Sequence, residues 1–392
     1  MVRLGVIGHG ARASSFINHP MREVYPDVRV AGIVDPDREG ARARLAEQDR
    51  ADVVFCKSME QLVREIKPDG LMIGTRCNLH SPLAIQAAKY DLPLFVEKPV
   101  ATSMAQATAL EQAFEKARGP VVVSFPLRVS PLCELMRQKI EEGAVGAAEH
   151  VLAWNYVPYG HCYFDAFYRD FSVTQGLFLQ KATHDLDYLM YLMGGNITKV
   201  AAMASYGRIF GGDKPAGLKC STCEEEYTCL ESPRNRRRNA SAGGGDHPCP
   251  FGEDIGTPET GMNEDSSSAL LEFATGAKGV YTQVFYTRRD AGARGAKVSG
   301  YHGTLEFDWY TNEMKHVQHH APFTDATKSG EGLSHFGGDN QLAENFIEVI
   351  QGKAESKTPI TTGIQSAYTC LAAKESAETG RFVEVRQVGQ SG

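Results

Sequence analysis

Short apolar runs alternate with amphipathic stretches over the first third of the chain. The runs are LGVIG, VRVAGIVD, DVVF, GLMIGT, LPLFVE and PVVVSF, and they lie between Val2 and about Pro126. Segments with the spacing of helical faces separate them, at residues 58–67, 81–89 and 103–117. Strands that alternate with helices at this spacing predict a parallel sheet that is covered by helices on both faces.

The pattern changes after Ala147, where longer alternating segments begin. These segments are AEHVLAWNYVPY, KVAAMASYG, SALLEFAT, KGVYTQVFYT and AKVSGYHGTLEF. They predict a large, mainly antiparallel open sheet with helices on one face, followed by helices at about 339–351 and 363–379. Since 392 residues exceed one ordinary core, we expect an α/β domain at 1–126 and an α+β substrate-binding and oligomerisation domain at 127–392.

The first predicted strand runs into a glycine turn, GHGARA, which precedes a helix. Gly8 permits the tight turn, Gly10 leaves room for a pyrophosphate, and Ala13 keeps the third position small. Phosphates would then lie at the helix N-terminus, where backbone N–H groups attract anions. The turn predicts a Rossmann dinucleotide-binding domain, with cofactor contacts at Gly8, Gly10, Ala11 and Arg12.

The second predicted strand ends at Asp35, an acidic residue placed to accept hydrogen bonds from a ribose. Its charge would repel a 2′-phosphate, so Asp35 favours NAD over NADP as the cofactor. Arg38 follows closely and is the residue able to reverse that preference, unless it is simply exposed on the next helix.

Three further segments carry a resemblance to a known family. Glu97-Lys98-Pro99 ends the fifth run, TRCNLH follows the fourth, and FPLRVSP follows the sixth. In order and spacing they resemble the Gfo/Idh/MocA family of NAD(P)-dependent carbohydrate oxidoreductases, from Leu4 to about Val385 except residues 211–265. The resemblance implies cofactor contacts at Thr75, Asn78, His80, Glu97, Lys98 and Arg128.

The segment GLFLQKATHDLDYLMYLMGG predicts one amphipathic helix at about 175–193, with Lys181, His184 and Asp185 on its polar face. The resemblance makes His184 the active-site acid or base and Lys98 the group that contacts nicotinamide and substrate. The family pattern D-x-x-x-H-D has Gln180 at its first position here. We therefore predict that Lys181 adds a second cation, which favours an anionic or strongly hydroxylated substrate; a solvated helix lysine is the alternative.

Other polar and aromatic residues are candidates for substrate contacts. Aromatic faces suit sugar rings, and an arginine can hold an anion or a diol. Each tyrosine is also a candidate core or interface residue, and Asp339 in the turn HFGGD is also a candidate helix cap next to His335. The predicted substrate-binding residues are Tyr156, Tyr159, His161, Arg169, Lys181, His184 and His335.

Residues 211–265 form an insertion rich in Gly, Ser, Asn, Pro and charged residues. Its cysteines, with a C-x-x-C pair, have the residue types of a tetrahedral structural zinc site. Reduced thiols in a loop and an iron–sulfur site are the alternatives. The predicted ligands are Cys220, Cys223, Cys229 and Cys249.

Charge and hydropathy exclude several classes of protein. The net charge of −7 disfavours nucleic acid as a partner, and we interpret the basic run at 234–238 as a solvated loop. No apolar run suits a membrane span, and the first strand begins almost at Met1, so we expect a cytoplasmic protein with mostly reduced or metal-bound cysteines.

Three functions fit these features. The leading hypothesis is an NAD-dependent dehydrogenase of a sugar, sugar derivative or cyclitol, which forms a homodimer or homotetramer through its open sheet. The second is an NAD-dependent glycosidase, which would oxidise its substrate, eliminate the aglycone, add water and reduce the product again. Arg12 and Gln180 are the residues that favour this alternative. The third is a non-catalytic NAD-sensing protein, which Lys98 and His184 disfavour.

Overall fold

The computed structural model describes residues 1–238, 245–328 and 334–390. The chain forms two compact units. Unit 1 contains residues 1–134, 334–368 and 387–390, and unit 2 contains the described residues between 135 and 328 together with 369–386. The boundaries fall inside two helices, Pro131–Glu141 and Ile360–Thr379. Unit 1 therefore takes in C-terminal segments as well as the N-terminal third of the chain.

Unit 1 is built on a six-stranded parallel sheet with the order β3-β2-β1-β4-β5-β6. All six runs predicted as strands are strands, so the predicted parallel sheet is confirmed. Their bounds are β1 (Val2–Ile7), β2 (Val28–Val34), β3 (Val54–Phe55), β4 (Gly70–Ile73), β5 (Leu94–Val96) and β6 (Val121–Val123).

The helices of unit 1 begin at local signals. Ser58 and Ser103 accept hydrogen bonds from the backbone N–H groups of Gln61 and Gln106, and each thereby caps a predicted helix. The three predicted helices are confirmed, with small shifts at their ends. The helices are Ala11–Phe16, Ile17–Met21 (π), Arg22–Val24, Arg38–Ala43, Glu47–Arg50, Met59–Ile66, His80–Ala88, Met104–Phe114 and Gly338–Ile350.

The core of unit 1 joins segments that are far apart in the sequence. The ring of Phe95 on β5 lies 4.7 Å from that of Phe16 and 5.4 Å from that of Phe346, measured between centroids. Phe346 belongs to helix Gly338–Ile350, which thus packs against the same core as the first helix. This packing brings Asp339, at the start of that helix, into unit 1.

Unit 2 is built on a nine-stranded sheet with the order β14-β13-β12-β11-β7-β10-β9-β8-β15. Every neighbouring pair is antiparallel except β7 and β10, which are parallel, so the mainly antiparallel sheet is confirmed. The strands are β7 (His150–Tyr156), β8 (Ile197–Ser205), β9 (Ser266–Phe273), β10 (Lys278–Val284), β11 (Ala293–Ser299), β12 (Gly303–Asp308), β13 (Glu313–Gln318), β14 (Thr324–Lys328) and β15 (Val383–Glu384).

The helical region of unit 2 departs from the sequence prediction. The single amphipathic helix expected at 175–193 is two helices, Leu177–Gln180 and Ala182–Met193, which are separated at Lys181. Lys181, His184 and Asp185 are 5%, 6% and 0% exposed, so the alternative of a solvated helix lysine at Lys181 is wrong. A helix buried on all sides carries its polar residues inward. Shorter helices are Cys162–Asp165, Phe171–Thr174 and Pro233–Arg238.

A buried arginine anchors the insertion within unit 2, and an aromatic contact fixes the residue that precedes it. Phe210 stacks on Phe164 with 4.0 Å between ring centroids. Arg236, only 2% exposed, forms ion pairs with Asp165 at 2.7 Å and Glu231 at 2.6 Å. The interpretation of the basic run as a solvated loop is therefore wrong at Arg236, whose charge two carboxylates compensate.

The cysteines of the insertion do not assemble as a metal site. None of the nine cysteines, all of which lie in the described ranges, forms a disulfide bond. Burial raises the pKa of Cys220 to about 12 and also raises the pKa of Cys249, which disfavours the thiolate form. Within the described ranges, no three His, Cys, Asp or Glu side chains are grouped as a metal ion requires. The structure thus does not support zinc at Cys220, Cys223, Cys229 and Cys249.

No helix among the described residues combines the length and the apolar character needed to cross a lipid bilayer.

Candidate active site

The glycine turn after β1 has the shape that a dinucleotide requires. Gly8 has a φ of +81°, and a Cβ there would lie 2.6 Å from Thr75, so only glycine fits. A Cβ at Gly10 would meet no atom within 4 Å, so the backbone there faces open space. Ala13 lies close to Gly74, because a Cβ added at Gly74 would be 2.7 Å from the Cβ of Ala13. The small third position thus lets the helix approach the sheet.

Asp35 lies directly after β2 and stabilises the glycine turn. Its Oδ2 accepts a hydrogen bond from the backbone N–H of His9 at 2.8 Å, and its Oδ1 accepts from that of Asp37 at 2.8 Å. The helix that begins at Ala11 has no side-chain cap, so its first N–H groups suit an anion. Open space at Gly10, an uncapped helix start and a carboxylate after β2 together fit a dinucleotide.

The turn after β4 is tied to the segment after β5 by a buried histidine. His80 is 2% exposed, and its Nδ1 and Nε2 lie 2.9 Å from Pro99 O and 3.1 Å from Thr75 O. Burial lowers the pKa of His80, which favours the neutral ring. In the described part of the chain, Asn78 Oδ1 is buried without a hydrogen-bond partner. An unsatisfied acceptor at this turn also fits a bound ligand.

Arg12 forms a network of ion pairs in unit 1 with two carboxylates. Its Nη1 and Nη2 donate to Asp339 at 2.9 and 2.6 Å, and its Nε donates to Glu97 at 3.1 Å. His335 Nδ1 also lies 2.8 Å from Asp339, which is completely buried. Burial tends to raise the pKa of Asp339, but hydrogen bonds from Arg12 and His335 outweigh it and hold that pKa well below its ordinary value.

These contacts place several predicted residues of unit 1. Glu97, predicted to bind the cofactor, directs its carboxylate to Arg12. Lys98 follows it directly after β5 and is half-buried, and Arg128 is half-buried in the loop between β6 and helix Pro131–Glu141. Asp339 does not cap its helix through a side-chain hydrogen bond; Gly337 occupies the N-cap position. The cofactor roles of Glu97, Lys98 and Arg128 stay predictions.

Asp185 is the centre of a buried network in unit 2. Its Oδ1 accepts from Arg294 Nε at 2.8 Å, and its Oδ2 accepts from Asn155 Nδ2 and Tyr281 Oη, both at 2.8 Å. Strand pairing explains the convergence, because Arg294 on β11 lies opposite Asn155 on β7. Asp185 therefore accepts hydrogen bonds from residues of three strands.

Lys181 lies at the break between the two helices and is buried beside Tyr159. Its Nζ donates to Tyr159 Oη at 2.7 Å and lies 4.9 Å from the centre of that ring. Burial, with a further contribution from the positive charge of Arg294, lowers the pKa of Lys181 to about 7. Tyr159 is partly exposed, but its hydroxyl contacts the buried amine, and burial raises the pKa of the phenol.

The other predicted substrate residues of unit 2 lie in different surroundings. His161 Nδ1 lies 2.9 Å from Asp165, in the ion cluster that anchors the insertion. Arg169 forms an ion pair with Asp254 at 2.8 Å. Tyr156 ends β7 and is half-buried, and His184 is buried in helix Ala182–Met193. Lys181 and Tyr159 are hydrogen-bonded to each other, and the substrate roles of all the predicted residues stay predictions.

The sequence interpretation missed Arg294, Asn155 and Tyr281. Each lies on a strand, and each looks locally like an ordinary strand residue. Arg294 is 3% exposed although arginine is almost never fully buried without a partner. The signal that identifies it is the pairing of β11 with β7, which no local motif encodes.

The comparisons with known proteins agree with this architecture. Residues 2–125 match the description "Oxidoreductase family, NAD-binding Rossmann fold", and residues 167–385 match "Oxidoreductase family, C-terminal alpha/beta domain". These two matches cover most of the chain and confirm the resemblance stated from the motifs.

Individual relatives are distant. The chain is 26% identical over 204 residues to myo-inositol 2-dehydrogenase of Thermotoga maritima, covering 52% of this chain and 58% of that protein. It is 22% identical over 262 residues to scyllo-inositol 2-dehydrogenase (NAD+) of Bacillus subtilis, covering 65% and 70%. The chain spans little more than half the length of several such curated relatives.

A solved structure, levoglucosan dehydrogenase in complex with NADH and L-sorbose, superposes with a TM-score of 0.75. The superposition covers 100% of both chains at 18% identity, so it shows a shared fold.

Proposed function

The chain belongs to the Gfo/Idh/MocA oxidoreductase family, and from this premise we propose that it is an NAD-dependent dehydrogenase of a sugar, a sugar derivative or a cyclitol. The observation that carries the proposal is the turn at Gly8 and Gly10, with its open backbone and the carboxylate of Asp35 beside it. The names of the inositol and levoglucosan dehydrogenases support a polyhydroxylated substrate.

Asp35 supports NAD over NADP as the cofactor. Its carboxylate would accept hydrogen bonds from the ribose hydroxyls and repel a 2′-phosphate. Arg38 is exposed on the next helix and forms no ion pair among the described residues, so it is the residue to test as a phosphate ligand. We expect NADH to bind at least about tenfold more tightly than NADPH, since a like-charge contact costs at least about 1.4 kcal/mol.

We assign the proton chemistry to Lys98 and His184. When bound, the nicotinamide accepts the hydride of the substrate C–H bond. The ammonium of Lys98 would hold the reacting hydroxyl oxygen and stabilise negative charge on it, while the imidazole of His184 would accept the hydroxyl proton. Lys181, which is 5% exposed, would add a second cation to the substrate side. The support for these roles is the family resemblance and the position of Lys98 after β5.

The decisive experiment follows NADH formation at 340 nm with a panel of sugars and cyclitols. Lys98→Met and His184→Ala should each lower kcat by about 10²–10⁴-fold, which is the usual contribution of acid–base catalysis. Lys57→Met and His150→Ala change exposed residues of the same types and should leave kcat unchanged. Normal turnover by either active-site variant would refute its assignment.

A redox-neutral glycosidase is the second candidate, and Gln180 is the observation that favours it. Gln180 is 3% exposed and stands where the family pattern has an aspartate, so this site lacks a carboxylate that would assist a simple dehydrogenation. The two reactions differ in their products. With excess NAD, a dehydrogenase accumulates NADH, whereas the glycosidase releases an aglycone from a glycoside without net NADH.

We also propose that the nine-stranded sheet forms a homodimer or homotetramer. Leu152 on β7 and Leu270 on β9 both pair with Val280 on β10, and these leucines are 40% and 53% exposed. They form an apolar row on one sheet face, which favours burial against a second copy. Light scattering should report an oligomer for the protein and a smaller species for Leu270→Glu, whereas a wild-type monomer would refute the proposal.

A further inference from the structure

The buried cluster around Lys181 in unit 2 carries more positive charge than its carboxylate compensates. Lys181 and Arg294 contribute two cations, and both are at most 5% exposed. Asp185 is the carboxylate that bonds to either of them among the described residues. The cluster thus holds a net charge of about +1 when Lys181 is protonated.

Among the described residues, Asp185 forms no hydrogen bond with the lysine. Its two oxygens already accept three hydrogen bonds, from Arg294, Asn155 and Tyr281. The amine of Lys181 instead donates to Tyr159, a neutral hydroxyl. A protonated amine has three donors, and a buried charge without a counter-charge is costly.

Arg294 provides a second unsatisfied donor. Its Nε is bonded to Asp185, but its Nη2 is buried and has no hydrogen-bond partner in the described part of the chain. Buried polar atoms without partners are rare in native proteins and call for a ligand, an ion or water. An unused guanidinium donor and an uncompensated ammonium are complementary to an anion with at least two acceptor oxygens.

We propose that Lys181, Arg294 and Tyr159 form a subsite that binds the carboxylate of an acidic sugar, such as a uronic acid. The proposal rests on the proposed function, because it names the substrate class of that dehydrogenase. A carboxylate carries one negative charge and matches the net charge of about +1, whereas a phosphate monoester carries about −1.5 to −2. A neutral sugar would leave the buried charge without a counter-ion.

Binding of a carboxylate would be coupled to protonation of Lys181. The charged and titratable groups around the amine are Tyr159, Cys162, Asp185 and Arg294, and His184 follows on the same helix. Burial lowers the pKa of Lys181 to about 7, and an anion beside the amine raises it again. Affinity is therefore greatest below pH 7 and falls by about tenfold between pH 6 and pH 8. Uronates stay ionised throughout, so the change reports on the protein.

The test is calorimetric titration with three matched pairs: glucose and glucuronate, galactose and galacturonate, mannose and mannuronate. Titrations are run with saturating NADH and again without it, at pH 6 and pH 8. We expect at least one uronate to bind at least about tenfold more tightly than its neutral parent, with proton uptake at pH 8. Lys181→Met should reduce that preference to less than about threefold and remove the pH dependence. Lys278→Met, which changes an exposed lysine of unit 2, should retain both.

The outcomes separate this proposal from the proposed function. If NADH binds and a neutral sugar is oxidised, but no uronate is preferred, the subsite is wrong and the dehydrogenase stands. If Lys181→Met keeps the uronate preference, the subsite is also wrong. If glucose 6-phosphate binds more tightly than every uronate, the carboxylate assignment fails. If NADH does not bind, the proposed function fails, and the titrations without NADH still decide the subsite. Arg294 is not mutated in this test, because its removal would leave the buried carboxylate of Asp185 without its ion-pair partner.

Discussion

Each unit buries a cluster of charged side chains, and the two clusters differ in charge balance. In unit 1, Arg12 is shared between the carboxylates of Asp339 and Glu97. In unit 2, Arg294 bonds to the carboxylate of Asp185, whereas Lys181 bonds to the neutral hydroxyl of Tyr159. In the first cluster the negative charge of the carboxylates compensates the arginine, whereas in the second cluster one positive charge has no carboxylate bonded to it.

The difference separates a structural role from a binding role. A buried ion pair with complete hydrogen bonding holds segments together, and Arg12 joins the first helix, the end of β5 and helix Gly338–Ile350. A buried cation without a counter-charge lowers stability, and such features persist where function requires them. The comparison therefore predicts opposite effects on stability for replacement of the two cations.

The largest expected effect is a loss of stability in Arg12→Met. Removal of the guanidinium takes from the buried carboxylates of Asp339 and Glu97 the cation that they share and leaves Asp339 its contact with His335, and we expect a cost of about 3–5 kcal/mol. Hydrogen exchange of unit 1 amides measures the loss. Arg64→Met is the control, since its ion pair with Glu65 is exposed and screened by solvent and is expected to contribute little to stability. Equal effects of the two variants would show that the Arg12 cluster is not structural.

The second-largest expected effect is a gain in stability in Lys181→Met. Burial lowers the pKa of Lys181 from 10.5 to about 7. At about 1.4 kcal/mol per pH unit, this shift corresponds to a cost of roughly 5 kcal/mol for keeping the amine protonated in the folded protein. After the loss of the bond to Tyr159, we expect Lys181→Met to raise the free energy of unfolding by about 2–4 kcal/mol at pH 7.

The stabilisation should depend on pH in a defined direction. A lysine whose pKa is lowered on folding costs stability fully below pH 7, and that cost disappears as pH rises toward 10.5. The gain in Lys181→Met therefore shrinks from pH 7 to pH 10. Trp154 and Trp309 both lie in unit 2, so tryptophan fluorescence during urea unfolding follows this unit. A destabilised variant at pH 7 would contradict the proposed charge imbalance.

The stability contributed by the Arg12–Asp339 cluster of unit 1 should decrease at acidic pH. The pKa of Asp339 is held well below its ordinary value, so its contribution to stability is present above about pH 4 and is lost as pH falls. We expect wild-type unit 1 to lose about 2–3 kcal/mol between pH 5 and pH 2 from this group. Arg12→Met should lose less over the same range, since its Asp339 is no longer stabilised by the guanidinium. Equal losses would show that Arg12 does not set the acid response.

The smallest expected effect is that of Tyr159→Phe. The change removes the oxygen to which Lys181 donates and should cost about 1 kcal/mol. Because the ammonium loses its acceptor, the pKa of Lys181 should fall further, and the pH dependence of uronate binding should move to lower pH. Calorimetry at several pH values measures the shift, and an unchanged profile would show that the hydroxyl does not contact the amine in solution.

Local patterns anticipated most of unit 1. Each parallel strand was identified by a short β-branched run, and helices at Ser58 and Ser103 begin at their capping residues. The glycine turn is equally local, because the positive φ at Gly8 is a property of that residue and its neighbours. The sites of unit 2 were harder to anticipate. The polar residues of the segment 176–195 were recognised as candidate site residues, but they were assigned to one amphipathic helix, whereas the structure has two buried helices.

The sequence by itself determined which elements form and where the nucleotide turn lies, because strand runs, caps and glycine turns depend on residues a few positions apart. Only the tertiary structure decided which charges meet in the interior. Arg294 reaches Asp185 through the pairing of β11 with β7, and Asp339 reaches Arg12 through the packing of Phe346 on Phe95. The members of these two pairs are 109 and 327 residues apart in the sequence, and no local period encodes such contacts.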